Sequence, residues 1–126
     1  MSHQRSLAKY QESQILTASR EQLLLLTYDG LVRFLARAER GIREHDYAEK
    51  HIGLTRAQAL VIELHGTLDH GAAPQVADNL ARIYSYLLDQ LALADAEDDL
   101  DRLQGVIGIV GELRTAWAEA ARSAAQ

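Results

Sequence analysis

A chain of 126 residues is long enough for one domain with its own core, and 48% hydrophobic with 25% charged residues is ordinary for a globular protein. Cysteine is absent, which removes disulfides, thiolate metal sites and thiol nucleophiles. The formal net charge of -5, with the basic residues interleaved among acids, argues against a nucleic-acid binder.

The first stretch, MSHQRSLAKYQESQ, is polar and lacks the apolar middle of a signal peptide. No segment reaches the roughly 18 consecutive apolar residues that span a membrane. A soluble, cytoplasmic chain without membrane insertion is expected. Residues 1–16 read as a mobile N-terminal arm. Within it Leu7 and Tyr10 stand three apart, one turn if helical, among polar neighbours.

Ser19-Arg20-Glu21-Gln22 has the spacing of a capping box. After it Leu24, Tyr28, Leu31, Leu35, Ala38 and Ile42 recur at steps of four and three, one face of a long first helix. Asp46 and Glu49 offer a second capping box after a turn at His45. The second helix then carries Leu54, Ala57, Val61, Leu64 and Leu68. His70 to Ala73 breaks the pattern, and Pro74 suits the first turn of a third helix. Its stripe is Val76, Leu80, Ile83, Leu87, Leu91 and Ala94. The acidic run Asp95 to Asp101 sets negative charge at the start of a fourth helix, favourable to its dipole. Leu100, Leu103, Ile107, Val110, Trp117 and Ala121 continue it. Helices of about 20 to 25 residues would be ~30–37 Å long, and short connections favour antiparallel neighbours. The expected fold is an all-α antiparallel four-helix bundle over 17–121, with a C-terminal tail at 122–126.

Chemistry is hard to place on this scaffold. No histidine has a glutamate three positions before it, so the di-iron pattern of such bundles is missing, as is His-Glu-x-x-His. Gly105 to Gly111 reads GVIGIVG, without the order or the preceding strand of a phosphate loop. No Ser-His-Asp set has support from spacing. Neither an enzyme nor a cofactor or metal is expected. Gly105, Gly108 and Gly111 lie three apart on the fourth helix, which suits close packing within the bundle or a shallow groove for another helix. His51 and His65 are mid-helix candidates for a histidine phosphotransfer bundle. The residues after His65 do not supply a lysine to steady a phosphoryl group.

Tyr10, Gln14-Ile15, Thr17-Ala18-Ser19, Glu21-Gln22-Leu23 and Tyr28-Asp29-Gly30 together resemble the signature of the flagellin-specific export chaperones, the FliS family. Arg56-Ala57-Gln58 and Glu63-Leu64 resemble its second helix. Asn79-Leu80, Ile83, Tyr84 and Tyr86 resemble the Asn-Leu-x-x-Leu-Tyr-x-Tyr pattern of its third, and Leu113, Ala116-Trp117 and Glu119-Ala120 the end of its fourth. Three positions depart from the pattern: Arg20 stands for a proline, Asp89-Gln90 for a basic pair, and Thr27 for an apolar residue.

The resemblance implies a cytoplasmic chaperone without catalysis. It would bind the disordered C-terminal segment of flagellin, prevent premature polymerisation, and deliver it to the flagellar type III export gate, with a co-chaperone as a further partner. The residues expected to line a flagellin-binding groove are Ile15, Leu23, Leu26, Thr27, Asn79, Leu80, Ile83, Tyr84 and Leu87. Leu7 and Tyr10 are expected to contact the export gate or to fold back over the empty groove. Leu23, Leu25 and Leu26 turn away from the Leu24 stripe by about 100° per residue, so all of them cannot face one core. They either widen the core stripe or line a groove for an amphipathic helix. Besides the chaperone and the phosphotransfer readings, a bundle that merely dimerises through apolar grooves stays open.

Overall fold

The computed structural model describes residues 20–125. The expected arm, with Leu7, Tyr10 and Ile15, and the Ser19 cap lie outside the described residues. Four helices follow one another: α1 (Arg20–Arg43), α2 (Tyr47–Gly66), α3 (Pro74–Glu97) and α4 (Leu100–Ala125). Each packs against its sequence neighbour, and α1 also packs against α4, which closes an antiparallel four-helix ring. Helix α4 stays helical to Ala125, into the stretch expected as a tail.

The periodic stripes became the core in α1 and α2. Tyr28, Leu31, Leu35, Ala38 and Ile42 are buried, facing Leu54, Ala57, Val61 and Leu64. Burying one such leucine stabilises the fold by roughly 1.5–3 kcal/mol relative to leaving it in water. On α3 Leu87, Leu91 and Ala94 are buried as expected, but in the first half of the helix the core line runs one position later, through Ala77 and Tyr84, and Val76 is 56% exposed. On α4 Val106 joins Leu103 and Val110 in the core, and Ile107 is half-buried.

The turns explain where the helices stop. His45 adopts a left-handed φ of 56°. The amide of Asp46 then donates to Gly41 O at 2.8 Å and that of His45 to Ile42 O at 3.3 Å, a Schellman closure of α1. Asp46 also caps α2, its Oδ1 accepting from the Glu49 amide at 3.2 Å. The reciprocal half of the capping box does not form, because the Glu49 carboxylate instead pairs with Arg37 of α1. Pro74 occupies the first turn of α3, as its missing amide hydrogen allows.

The acidic run is divided between two helices. Asp98 takes the left-handed C-cap of α3, with φ of 49°, and Asp99 Oδ1 accepts from the Arg102 amide at the start of α4. Negative charge at the end of α3 opposes that helix's dipole. Lys50 of α2 offsets it, donating to Asp98 and to the Asp95 carbonyl.

The closest approach in the bundle is between α1 and α2. A Cβ placed on Gly53 would sit 2.7 Å from Phe34 O and 2.9 Å from Ala38 Cα, so only glycine fits. By contrast Gly105, Gly108 and Gly111 face open space. Close packing within the bundle is therefore not what these three serve.

Candidate binding cleft

The run Leu23 to Leu26 falls in the first two turns of α1, where a continuous helix spreads four adjacent side chains around its axis. Leu24 turns towards the core, Leu25 is half-buried, and Leu23 and Leu26 are 42% and 54% exposed. The beginning of α1 lies beside the end of α2, the beginning of α3 and Trp117 near the end of α4. Together they enclose a cleft of about 910 Å³ at this end of the bundle.

Apolar side chains dominate it. Leu64, Ala77 and Tyr84 are its buried floor; Leu24, Leu60, Leu68 and Leu80 are its half-buried walls; Leu23, Leu26 and Val76 stand exposed on the rim. The loop between α2 and α3 forms one side, shaped by Asp69, whose Oδ1 accepts from the amides of Gly71 (3.0 Å) and Ala72 (3.2 Å). Arg20 reaches across to the same loop, donating to Thr67 O at 3.4 Å and standing 4.0 Å from Asp69 Oδ2. Charge is confined to the edge, at Arg20, Glu21, Glu63 and Asp69.

Two phenols meet at the floor. The hydroxyls of Tyr28 and Tyr84 are 2.6 Å apart, and both side chains are buried. Burial raises both hydroxyls above the usual tyrosine value, because a phenolate there would lose its solvation. The hydrogen bond to Tyr84 partly offsets the rise at Tyr28.

Of the residues expected to line a groove, Leu23, Leu26, Thr27, Leu80 and Tyr84 are brought together here. Thr27, which departs from an apolar pattern, satisfies its hydroxyl by donating to Leu23 O at 3.0 Å. Three do not join them. Leu87 is 0% exposed within the core, so no partner touches it in this conformation. Ile83 packs against the core outside the cleft, and Asn79 is exposed on α3 but does not line it. With Tyr84 and Leu87 inward, Asn79 and Ile83 fall on other sides of α3 from the cleft lining. Ile15 lies outside the described residues.

Sequence reasoning missed Leu60, Leu68, Val76 and Trp117 as cleft residues. Val76 and Leu68 carried a signal, since each ends an apolar stripe at the same end of the bundle. Tyr86, 51% exposed, and Tyr84 take different faces of α3, as their spacing of two requires. His51 and His65 are exposed on α2 and neither lines the cleft.

Among the described residues, no group of three or more His, Asp or Glu could hold a metal ion. No described helix is long and apolar enough to cross a membrane. An open apolar cleft with a charged edge suits the burial of another apolar surface, above all one face of an amphipathic helix.

Known proteins share this chain's pattern over nearly its whole length. The family model described as Flagellar protein FliS matches residues 3–124. The "Flagellar secretion chaperone FliS" of Campylobacter jejuni is 34% identical over 110 residues, covering 87% of this chain and 86% of that protein. The protein of the same name from Bacillus subtilis is 29% identical over 123 residues, 98% of this chain and 91% of the relative. That of Escherichia coli is 27% identical over 109 residues, 86% and 80% of the two chains.

Proposed function

We propose, for a chain that belongs to the flagellar protein FliS family, that its cleft binds the C-terminal segment of newly made flagellin in the bacterial cytoplasm. Binding keeps the segment from polymerising early and presents it to the flagellar export gate. The work is done by burial of apolar surface, with no catalytic step and no cofactor. The observation that carries this reading is the open cleft of about 910 Å³ with Leu23, Leu26 and Val76 exposed at its rim.

A segment that is disordered when free spends part of its interaction energy on becoming ordered, so it needs a wide contact surface. The exposed rim leucines extend the surface beyond the cleft floor. The arm residues Leu7 and Tyr10 are assigned in this proposal to the export gate, and a co-chaperone is a further partner.

The test is seeded growth of flagellin filaments. An equimolar amount of this protein should stop elongation, and Leu26→Asp should release it while the far-ultraviolet helical signal is kept. Elongation at an unchanged rate with the unaltered protein would overturn the reading.

A further inference from the structure

On α1 the rim leucines share one edge with arginines: Leu23, Leu26, Gly30, Arg33 and Arg37 recur at steps of three and four. That edge runs beside α2. A Cβ placed on Gly30 would lie 3.5 Å from Leu60 Cδ1 of α2 and 3.7 Å from Arg33 Nη2. The Arg33 guanidinium therefore leans over the α1–α2 seam beside Leu60, which lines the cleft. Across the seam Arg56 stands four residues before Leu60, on the same edge of α2. One turn further along α1, Arg37 is already engaged by Glu49. Arg33 and Arg56 are exposed, and neither has an ion pair among the described residues. The other end of the cleft carries the opposite charge. Glu21 and Glu63 stand at its edge without an ion pair, while Arg20 and Asp69 face each other at 4.0 Å. Along α2, Arg56 and Glu63 are separated by a rise of ~10 Å. The cleft is thus polarised, with cations where it runs into the seam and anions towards the loop between α2 and α3.

We propose that this polarity sets the direction in which the partner helix lies, with acidic side chains of the partner at Arg33 and Arg56 and basic ones at Glu21 and Glu63. Apolar burial is non-directional, so the leucine walls hold a helix equally well either way round. A helix lying the wrong way brings like charges together at both ends, which counts against that arrangement. Exposed ion pairs each contribute little, so the charges select an orientation rather than hold the complex. Arg82 and Arg122 are also exposed and without an ion pair. Arg33 and Arg56 differ from them in standing where the apolar cleft continues along the seam. The identity of the partner rests on the flagellin reading; the polarity rests on the placement of these four side chains.

The experiment measures binding by the fluorescence of Trp117, the single tryptophan of the chain and a residue of the cleft. Three ligands are compared: the flagellin C-terminal segment, and two amphipathic helical peptides of the same composition and the same apolar face. One peptide carries its glutamates at one end and its lysines at the other; the second has them mixed along its length. The protein should bind the polarised peptide about fivefold more tightly at low salt. The difference should vanish at about 0.5 M salt, where exposed charges are screened. Replacing both arginines, Arg33→Glu with Arg56→Glu, should abolish the preference and weaken binding of the flagellin segment about fivefold or more, with the helical signal kept. Equal affinity for the two peptides, or binding of neither, overturns the inference, and the unaltered protein alone decides this comparison. Flagellin binding that the double variant leaves unchanged also overturns it while the chaperone reading stands. A preference for the polarised peptide without any flagellin binding supports the inference and removes the chaperone reading.

Discussion

Lys50 Nζ on α2 lies 2.5 Å from Asp98 Oδ1 at the left-handed cap of α3, and it donates as well to the Asp95 carbonyl at 3.0 Å. One cation thereby satisfies a C-terminal carbonyl of α3 and compensates two carboxylates at the end of the helix where negative charge is unfavourable. Its side chain is 11% exposed, so the contact is shielded from bulk solvent, although both carboxylates remain nearly half exposed. Lys50→Met should lower stability by about 1–2 kcal/mol, between the values for surface and buried pairs.

The same contact has a pH signature. The Asp98 hydrogen bond holds the Lys50 ammonium above the usual lysine value of 10.5, against the effect of burial. A raised folded value means that the stability is fully present below about 10.5 and is lost as pH rises through the folded value. Urea unfolding near neutrality and again at strongly alkaline pH should show the gap between the unaltered protein and Lys50→Met closing. A constant gap would mean that Lys50 acts through packing alone.

The phenol pair predicts an uneven tyrosine titration. Burial raises Tyr28 and Tyr84 above the ordinary 10.0, with Tyr84 also raised by its hydrogen bond to Tyr28. Their contribution to stability is therefore present below about pH 10 and falls away as the solution becomes more alkaline. Phenolate absorbance should show part of the tyrosine signal appearing only together with loss of helicity. Tyr84→Phe should shrink that late fraction; a smooth titration completed before unfolding would contradict the burial of the pair.

Two glycine substitutions should move stability in opposite directions. Gly53→Ala places a methyl group against the backbone of Phe34 and Ala38, and should destabilise by about 1–3 kcal/mol. Gly108→Ala meets nothing within 4 Å and should stabilise by up to about 1 kcal/mol through helix propensity. Thermal melting of the two variants side by side checks the helix spacing directly.

Core and cleft positions should also separate on mutation. Leu26, 54% exposed, can become Asp with the fold kept and flagellin binding weakened by about tenfold or more. Ile83→Asp, in contrast, sets a charge against the core and should reduce stability by about 2 kcal/mol. An Ile83→Asp variant that folds normally but fails to bind would place Ile83 on the binding surface.

Much of the fold was legible in the sequence because α1 and α2 write their core faces as unbroken steps of four and three, from Tyr28 to Ile42 and from Leu54 to Leu64. In the first half of α3 the pattern misled: Val76 and Ile83 are larger and more apolar than Ala77, yet Ala77 and Tyr84 face inward, whereas Leu87, Leu91 and Ala94 are buried as the stripe required. Hydrophobicity alone ranks a tyrosine below an isoleucine, and it cannot register that the Tyr84 hydroxyl would find Tyr28 across the core. The site was half legible for a related reason. Leu23 and Leu26 announced themselves as surplus to one helix face, whereas Leu60, Leu68 and Trp117 reach the cleft only through tertiary packing. Glycines give no local sign of their surroundings, so Gly53 at a tight crossing and Gly108 in the open look alike in the chain.

The central claim is that the cleft receives the C-terminal segment of flagellin, and calorimetric titration with flagellin monomer from the same organism tests it most directly. The account predicts one-to-one binding to full-length flagellin that disappears when the C-terminal segment is removed and weakens by about tenfold or more with Leu26→Asp. Equal binding to full-length and truncated flagellin, or binding indifferent to Leu26→Asp, would contradict it.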